Sequence, residues 1–290
     1  MKAGFAPEKR IKRRKRINRA CHGLFMLCAL LGIAVLFILI ADMVVTSLGW
    51  LDWGFVTSFD SRHPEEAGML AGIVGSFWLI AIAAPLSFVL GIATAIYLEE
   101  YARPTRLTRL IQTNISNLAG VPSIVYGLLG LAVFVRYLGL GRSVLAGGLT
   151  LTLLILPVVI VASQEAIRAV PVSLRHASYA VGAGKWATVY RIVIPSALPG
   201  MLTGSILAVS RALGETAPII VIGAVTYTAS LPSGLLDSFT AMPIQIYNWT
   251  GLPKQEFTHV AAAGIVVLLI VLLTVNALAV FLRNKYAGRR

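Results

Sequence analysis

Two ionisable residues, Arg211 and Glu215, interrupt a run from Pro199 to Tyr227 that is otherwise almost wholly apolar. On a helix, residues four apart share a face one turn apart, close enough for an ion pair. At 1.5 Å per residue Arg211 stands ~18 Å in from Pro199, near the middle of a bilayer core about 30 Å thick. A guanidinium at that depth costs at least ~2.5–3.5 kcal/mol, so its presence needs a reason. One reason is a self-neutralised pair that fixes helix packing. The other is an anion that must cross. A guanidinium offers a planar fork of donors matched to oxyanion oxygens and stays charged at any working pH. Glu215 would offset that charge while the site is empty, weaken over-tight binding, and accept a hydrogen bond from a protonated oxyanion. Gly214 and Pro218 free backbone groups and allow bending, which suits a gate.

Other residue types offer less. His22, His63, His176 and His259 lie near or outside the apolar boundaries and lack metal-ligand spacing, which argues against an intramembrane metalloenzyme. Gly182-Ala183-Gly184-Lys185 is the nearest thing to a phosphate-cradling loop. A Walker A motif would need Gly in place of Tyr179 and Ser or Thr in place of Trp186, so energy must come from another chain or a gradient. Cys21 and Cys28 share a helix face but stand ~10 Å apart, too far for an intrahelical disulfide. Ser123, after Pro122, either lines a pathway or starts a helix. Asp42 reads as an interfacial carboxylate, and Pro85 and Pro157 as kinks.

The elements that hold these residues are membrane spans. Of the 290 residues, 57% are hydrophobic and only 13% charged, against about 25% charged in a soluble domain. Mean hydropathy is +0.82. Six long apolar segments follow, at 23–49, 69–98, 115–135, 143–163, 199–226 and 258–282, and the expected fold is an all-α integral membrane protein with six transmembrane helices. The chain divides into a basic arm (1–22), one transmembrane domain (23–283) and a tail (284–290). Lys and Arg set the orientation. Twenty lie in the arm, the 97–114 and 164–198 connections and the tail, against Arg62, Arg136, Arg142 and Lys254 on the other side. Both termini are therefore expected in the cytoplasm. The net charge of +13 follows the membrane rule and does not indicate nucleic-acid binding. The Lys9–Arg19 cluster suits anionic lipid headgroups beside the first span. That span is too long for a cleaved signal peptide and lacks a convincing cleavage site.

The 164–198 connection is no passive link. Gln164 to Pro171 reads as a helix end followed by a breaker. Ser173 to Gly182 reads as a short amphipathic helix closed by a glycine cap, and Lys185 to Pro195 as a second helix running into the next span. A helix–turn–helix with small residues and flanking cations is built either to dock a partner or to lie on lipid. Ala177, Gly182, Ile192 and Pro195 stand at the spacing of the EAA loop of ABC-importer permeases, which this stretch resembles. His176 stands where that family has Glu, Ser178 where it has Ala and Ile194 where it has Leu. The resemblance implies that the loop, His176 included, docks into a separate ATP-hydrolysing subunit.

Four further stretches narrow the resemblance: Ala95 to Tyr101, Asn117 to Gly127, Ser210 to Pro218 and Met242 to Trp249. With the loop, they are similar to PstA-type permeases of bacterial phosphate-specific ABC importers over roughly 69–283. That implies a type I importer fold in the cytoplasmic (inner) membrane and phosphate movement by alternating access. It also implies a heterodimer with a PstC-like permease, two PstB-like ATPase subunits carrying ATP and Mg, and a PstS-like phosphate-binding protein. No cofactor bound by this chain is expected, and no ATPase site of its own. Another oxyanion such as phosphonate, molybdate or sulfate is the alternative within the class. A self-contained channel or membrane enzyme is the alternative outside it, although a channel needs no docking loop.

Overall fold

A computed structural model describes residues 8–224 and 230–287. Lys2, Arg289, Arg290 and the end of the expected 199–226 span lie outside the described residues. Among the described residues every regular element is helical: α1 (Glu8–Ser47), α2 (Trp53–Thr57), α3 (Leu70–Ile96), α4 (Arg106–Leu118), α5 (Ser123–Gly130), α6 (Val144–Arg168), α7 (Val172–Ala180), α8 (Lys185–Thr188), α9 (Ile194–Leu213), α10 (Ala217–Ile222), α11 (Met242–Thr250) and α12 (Glu256–Ala287), with a 3-10 turn at Pro64–Glu66. Three π-helical segments, Tyr97–Tyr101, Leu131–Tyr137 and Val189–Val193, continue α3, continue α5 and precede α9.

Among the described residues five helical stretches are long and apolar enough to cross a membrane, and a sixth is obtained if α4 and α5 with its π segment count as one broken span. That break is where the expected 115–135 span departs from the structure. The chain bends by 105° between Leu118 and Ser123. Gly120 and Pro122 sit in the bend, and a residue before proline is pushed out of helical conformation. α4 is amphipathic with no buried residue, so it lies along a surface rather than crossing. Its first turn is capped by Thr105, whose hydroxyl accepts from Thr108 N at 3.2 Å. The 199–226 segment also departs. The spanning helix starts at Lys185 and ends at Leu213, because Gly214 and Pro218 stop it sooner than its hydropathy would.

α6 is the centre of the molecule, with 67% of its apolar window buried, whereas that of α1 is 0% buried. α3 runs parallel to α6, with Gly91 against Val159 and Ile82 against Gly148. α9 runs antiparallel to α6, and glycine decides how closely. A Cβ on Gly204 would meet Ala162 Cβ at 2.3 Å and one on Gly200 would meet Ala166 Cβ at 2.8 Å. Small residues on both faces let the two backbones approach, which is how helices associate where lipid removes the hydrophobic drive.

α1 is one continuous helix from Glu8 through the basic residues into its apolar run. It meets α12 near its far end, where Trp50 stacks on His259 at 6.1 Å between centroids and His259 Nδ1 bonds Thr46 O at 2.9 Å. At that same end, opposite the lysine- and arginine-rich one, α11 plugs the bundle. Trp249, 1% exposed, donates from Nε1 to Asp60 at 2.8 Å, and Gln245 Nε2 donates to Gly68 O at 2.8 Å. Burial pushes the Asp60 carboxyl above the ordinary carboxylate range despite the Trp249 bond.

Gly204→Ala is expected to force α6 and α9 apart and to destabilise the protein by about 1–3 kcal/mol. Gly23→Ala in α1, where a Cβ meets nothing within 4 Å, should leave stability unchanged. Thermal melts of the detergent-solubilised protein check both.

Candidate functional site

The first site is a broken helix. α9 ends at Leu213, and the chain turns through Gly214 and Glu215 before α10 begins. Gly214 N donates to Arg211 O at 3.1 Å and Glu215 N to Ala212 O at 3.3 Å, so the turn satisfies part of the helix end from within. Ala212 and Leu213 are buried in the core and anchor the break. Arg211 points the other way, and its Nε donates to Glu215 Oε1 at 3.0 Å. The pair expected within one helix therefore forms across a helix terminus. There a cation in the last turn also meets the negative end of the helix dipole.

The depth of this break follows from packing. Ala212 and Leu213 meet Ser76 and Leu79 of α3 and Leu151 of α6. These lie six to nine residues inside the starts of those helices, or about 9–14 Å. The arginine side chain is 51% exposed and the glutamate 14%. An exposed guanidinium at that depth cannot be left to lipid, so its open face requires water or another polypeptide. On the neighbouring side Ser210 hydrogen-bonds Ile206 O and Asn276 Oδ1 of α12, which fixes the face that α9 presents.

Ser123 starts α5, one turn before Gly127. A Cβ on Gly127 would meet Pro218 Cα at 2.7 Å, so α5 and α10 pack backbone to backbone. Ser123 is half-buried on the same face. Its hydroxyl bonds neither Arg211 nor Glu215.

The second site lies at the far end of α9. α7 carries His176 and Ala177, both exposed, and ends at Ala180, with Gly182 in the turn that follows. Gly182 has φ +81°, a left-handed conformation that strains other residues. Gly182 N donates to Tyr179 O at 2.9 Å and Ala183 N to Ser178 O at 3.2 Å, closing the helix. Ser178 and Thr188 hydroxyls bond at 2.8 Å and clasp α7 to α8. Ile192 lies in the π segment and Pro195 in the first turn of α9, where a missing N–H costs nothing. Val172, Leu174, Tyr179, Val181, Trp186 and Tyr190 leave an apolar knuckle exposed.

Glu99 and Glu100 were not among the expected site residues, yet they hold this knuckle to the bundle. The π turn at Tyr97–Tyr101 aims both toward α6 and α7. Glu99 takes Arg168 in a fork, at 2.6 and 2.9 Å, and Gln164 Nε2 at 2.9 Å. Glu100 takes Arg175 at 2.9 and 3.3 Å, and Arg175 also donates to Val170 O and Ile167 O at the end of α6. Lys185 sits 5.2 Å from the Tyr101 ring centroid. Two adjacent acids at the close of an apolar span, at an end otherwise rich in cations, were the signal available. Among the described residues no cluster of His, Cys, Asp and Glu could hold a metal ion.

The same long helix thus carries a half-exposed arginine at one end and an exposed apolar knuckle at the other. Residues 87–287 match the family described as the binding-protein-dependent transport system inner membrane component. The chain belongs to that family. It is thus a multi-pass permease subunit of the inner membrane, of the kind that works with a binding protein and an ATPase. The phosphate transport system permease protein PstA 1 of Mycobacterium tuberculosis is 37% identical, over 85% of this chain and 80% of its own. The probable ABC transporter permease protein YqgI of Bacillus subtilis is 31% identical, over 92% and 95%. In fold, the permease is similar to a chain of a bacterial alginate ABC transporter, with a TM-score of 0.67 and 14% identity over 96% of this chain and 98% of that one. A chain of the inward-facing MetNI methionine ABC transporter gives 0.62 and 17% over 75% and 97%.

Arg175→Ala strands a carboxylate, Glu100, whose side chain is 9% exposed, and should cost about 3–5 kcal/mol. Arg168→Ala leaves Glu99, 14% exposed, still bonded by Gln164 and should cost less, about 1–3 kcal/mol. Denaturation midpoints of the two variants test that order.

Proposed function

We propose that this permease forms one half of the translocation pathway of an ATP-driven phosphate importer. The observation that carries the reading is the half-exposed Arg211–Glu215 pair at a helix break inside the membrane span. Its open face needs a polar counterpart, and a homologous PstC-like permease supplies one. The relatives named as phosphate transport permeases support phosphate as the ion.

Phosphate delivered by a PstS-like binding protein reaches the break and replaces water on Arg211. The fork of guanidinium donors holds two oxygens, and Glu215 accepts a hydrogen bond from the protonated one while limiting the affinity. Ser123, one turn along α5, offers a hydroxyl to the same path. Of two PstB-like ATPases, which carry the ATP and Mg, one docks at His176, Ala177 and the apolar knuckle around the Gly182 turn, and the other on the PstC-like permease. Both termini, the basic arm and this knuckle face the cytoplasm, and the arm rests on anionic headgroups. Closure of the ATPases moves α7 and α8. Ile192 and Pro195 pass that movement into α9, whose other end carries Arg211, so the cavity changes the side it opens to.

In vesicles holding the four-component complex, Arg211→Gln should lower phosphate uptake about 10–100-fold, the worth of a hydrogen bond to a charged group, while the complex assembles normally. Uptake should require the ATPase subunits and should fall when they are omitted. Unchanged uptake by an assembled Arg211→Gln complex removes the substrate role, and equal uptake of sulfate or molybdate removes phosphate as the ion.

A further inference from the structure

Arg142 stands two residues before α6, at the end of the bundle away from the basic one. It makes no hydrogen bond or ion pair with the described residues. Its guanidinium is nevertheless held in place. Gly223 closes α10 at φ +87°, and a Cβ there would meet Arg142 Nε at 2.9 Å and Cζ at 3.1 Å. The absent side chain lets the guanidinium lie against the carbonyl end of α10, where a cation is favoured.

A cavity of about 520 Å³ opens beside it, lined by Arg142, Ser238, Tyr247 and Asn248 with Ile220 and Gly223. Its polar lining is one cation with two hydroxyls and one amide, and among the described residues no carboxylate lines it. The nearest acid in the adjoining loop is engaged elsewhere. Asp237 Oδ2 accepts from Ser233 Oγ at 2.7 Å, Ser233 N at 2.8 Å and Gly234 N at 2.9 Å. Those bonds, the Ser233 hydroxyl first, keep Asp237 below the usual carboxylate range. The loop is also pinned to the start of α6, since Val144 N donates to Asp237 O at 3.0 Å and Leu145 N to Leu235 O at 2.8 Å. Those two orphan amides of the helix terminus fix Ser238 beside Arg142.

We propose that Arg142, Ser238, Tyr247 and Asn248 form a second, outer binding site for a tetrahedral oxyanion, one station before Arg211. This rests on the phosphate reading given above. α10 is six residues long, about 9 Å, and it separates the two arginines: Glu215 and Thr216 precede it and Gly223 follows it. An ion released at the outer face meets Arg142 first and needs a move of only about that length to reach the inner pair. The two sites differ in one respect. The inner arginine carries its own counter-charge and the outer one does not, so the outer site captures and the inner one releases.

The test is binding of radiolabelled inorganic phosphate to the assembled permease–ATPase complex without binding protein and without ATP. In an Arg211→Gln background, which leaves the outer site alone, saturable binding should persist. Adding Arg142→Gln should weaken it at least about ten-fold. Any phosphate held by the ATPase subunits is common to both and cancels. If Arg142→Gln does not assemble, Arg142→Lys keeps the charge but loses the fork and should weaken binding several-fold. Equal binding with and without the Arg142 change overturns the outer site, as does binding that chloride at matched ionic strength removes equally well. Arg142-dependent binding that appears only when the binding protein is present also overturns it, because the arginine is then a protein contact. Uptake by Arg211→Gln reads the proposed function separately, so either claim can fail alone.

Discussion

A bilayer interior supplies no water, so each backbone group and each charge placed there must be answered by the protein itself. Most of the structure is a response to that constraint. The helix that stops at Leu213 is tolerated because Gly214 and Glu215 turn their amides back onto it and Arg211 in its last turn pairs with Glu215 just beyond it. α10 tucks its Pro218 against Gly127, where no side chain intervenes. α6 and α9 make their closest approach where alanine faces glycine. At the ends, where water returns, the chain turns to loops, caps and ion pairs.

This explains how charge is distributed along the molecule. The partly buried pairs at the basic end, Glu99 with Arg168 and Glu100 with Arg175, tie three elements and leave few unanswered groups. They make that end a stiff junction between α3, α6 and α7. The inner pair is deliberately looser, with one partner half exposed. Arg142 has no partner at all among the described residues. On the proposed reading, stiffness therefore sits where force is received, and unmet charge where an ion is received.

Much of the fold was legible in the residues because hydropathy and charge report directly on membrane position. The spans of α3, α6 and α12 begin within about two residues of their expected starts, and the helix–turn–helix around Gly182 falls where its glycine signals it. The breaks were harder to read. Gly214 and Pro218 are breakers, yet apolar residues on both sides carry a hydropathy window across them, so a bend was expected where the helix stops. Gly120 and Pro122 were hidden in the same way, and the last turn of α4, residues 115–118, was absorbed into a span although it belongs to a surface helix. The basic arm reads as a separate segment by charge but runs into α1 without a break. What composition could not supply is pairing at long range. Glu99 meets Arg168 across 69 positions and Glu100 meets Arg175 across 75, and no local pattern encodes either. The site residues divide along the same line: Arg211 with Glu215 is local and was visible, whereas Arg142 over Gly223 is not.

The helix that begins at Lys185 and ends at Leu213 has a mechanical meaning beyond its residues. Twenty-nine residues make a rod of about 43 Å. With one end in the docking knuckle and the other at the charged break, it acts as a lever arm. A tilt of roughly 10° about the knuckle sweeps the far end by about 7 Å at that length, more than the reach of a hydrogen bond. On the proposed reading, a small rotation at the surface is therefore enough to put the guanidinium in contact with an ion or out of it, and the rod needs no internal change of shape to do so.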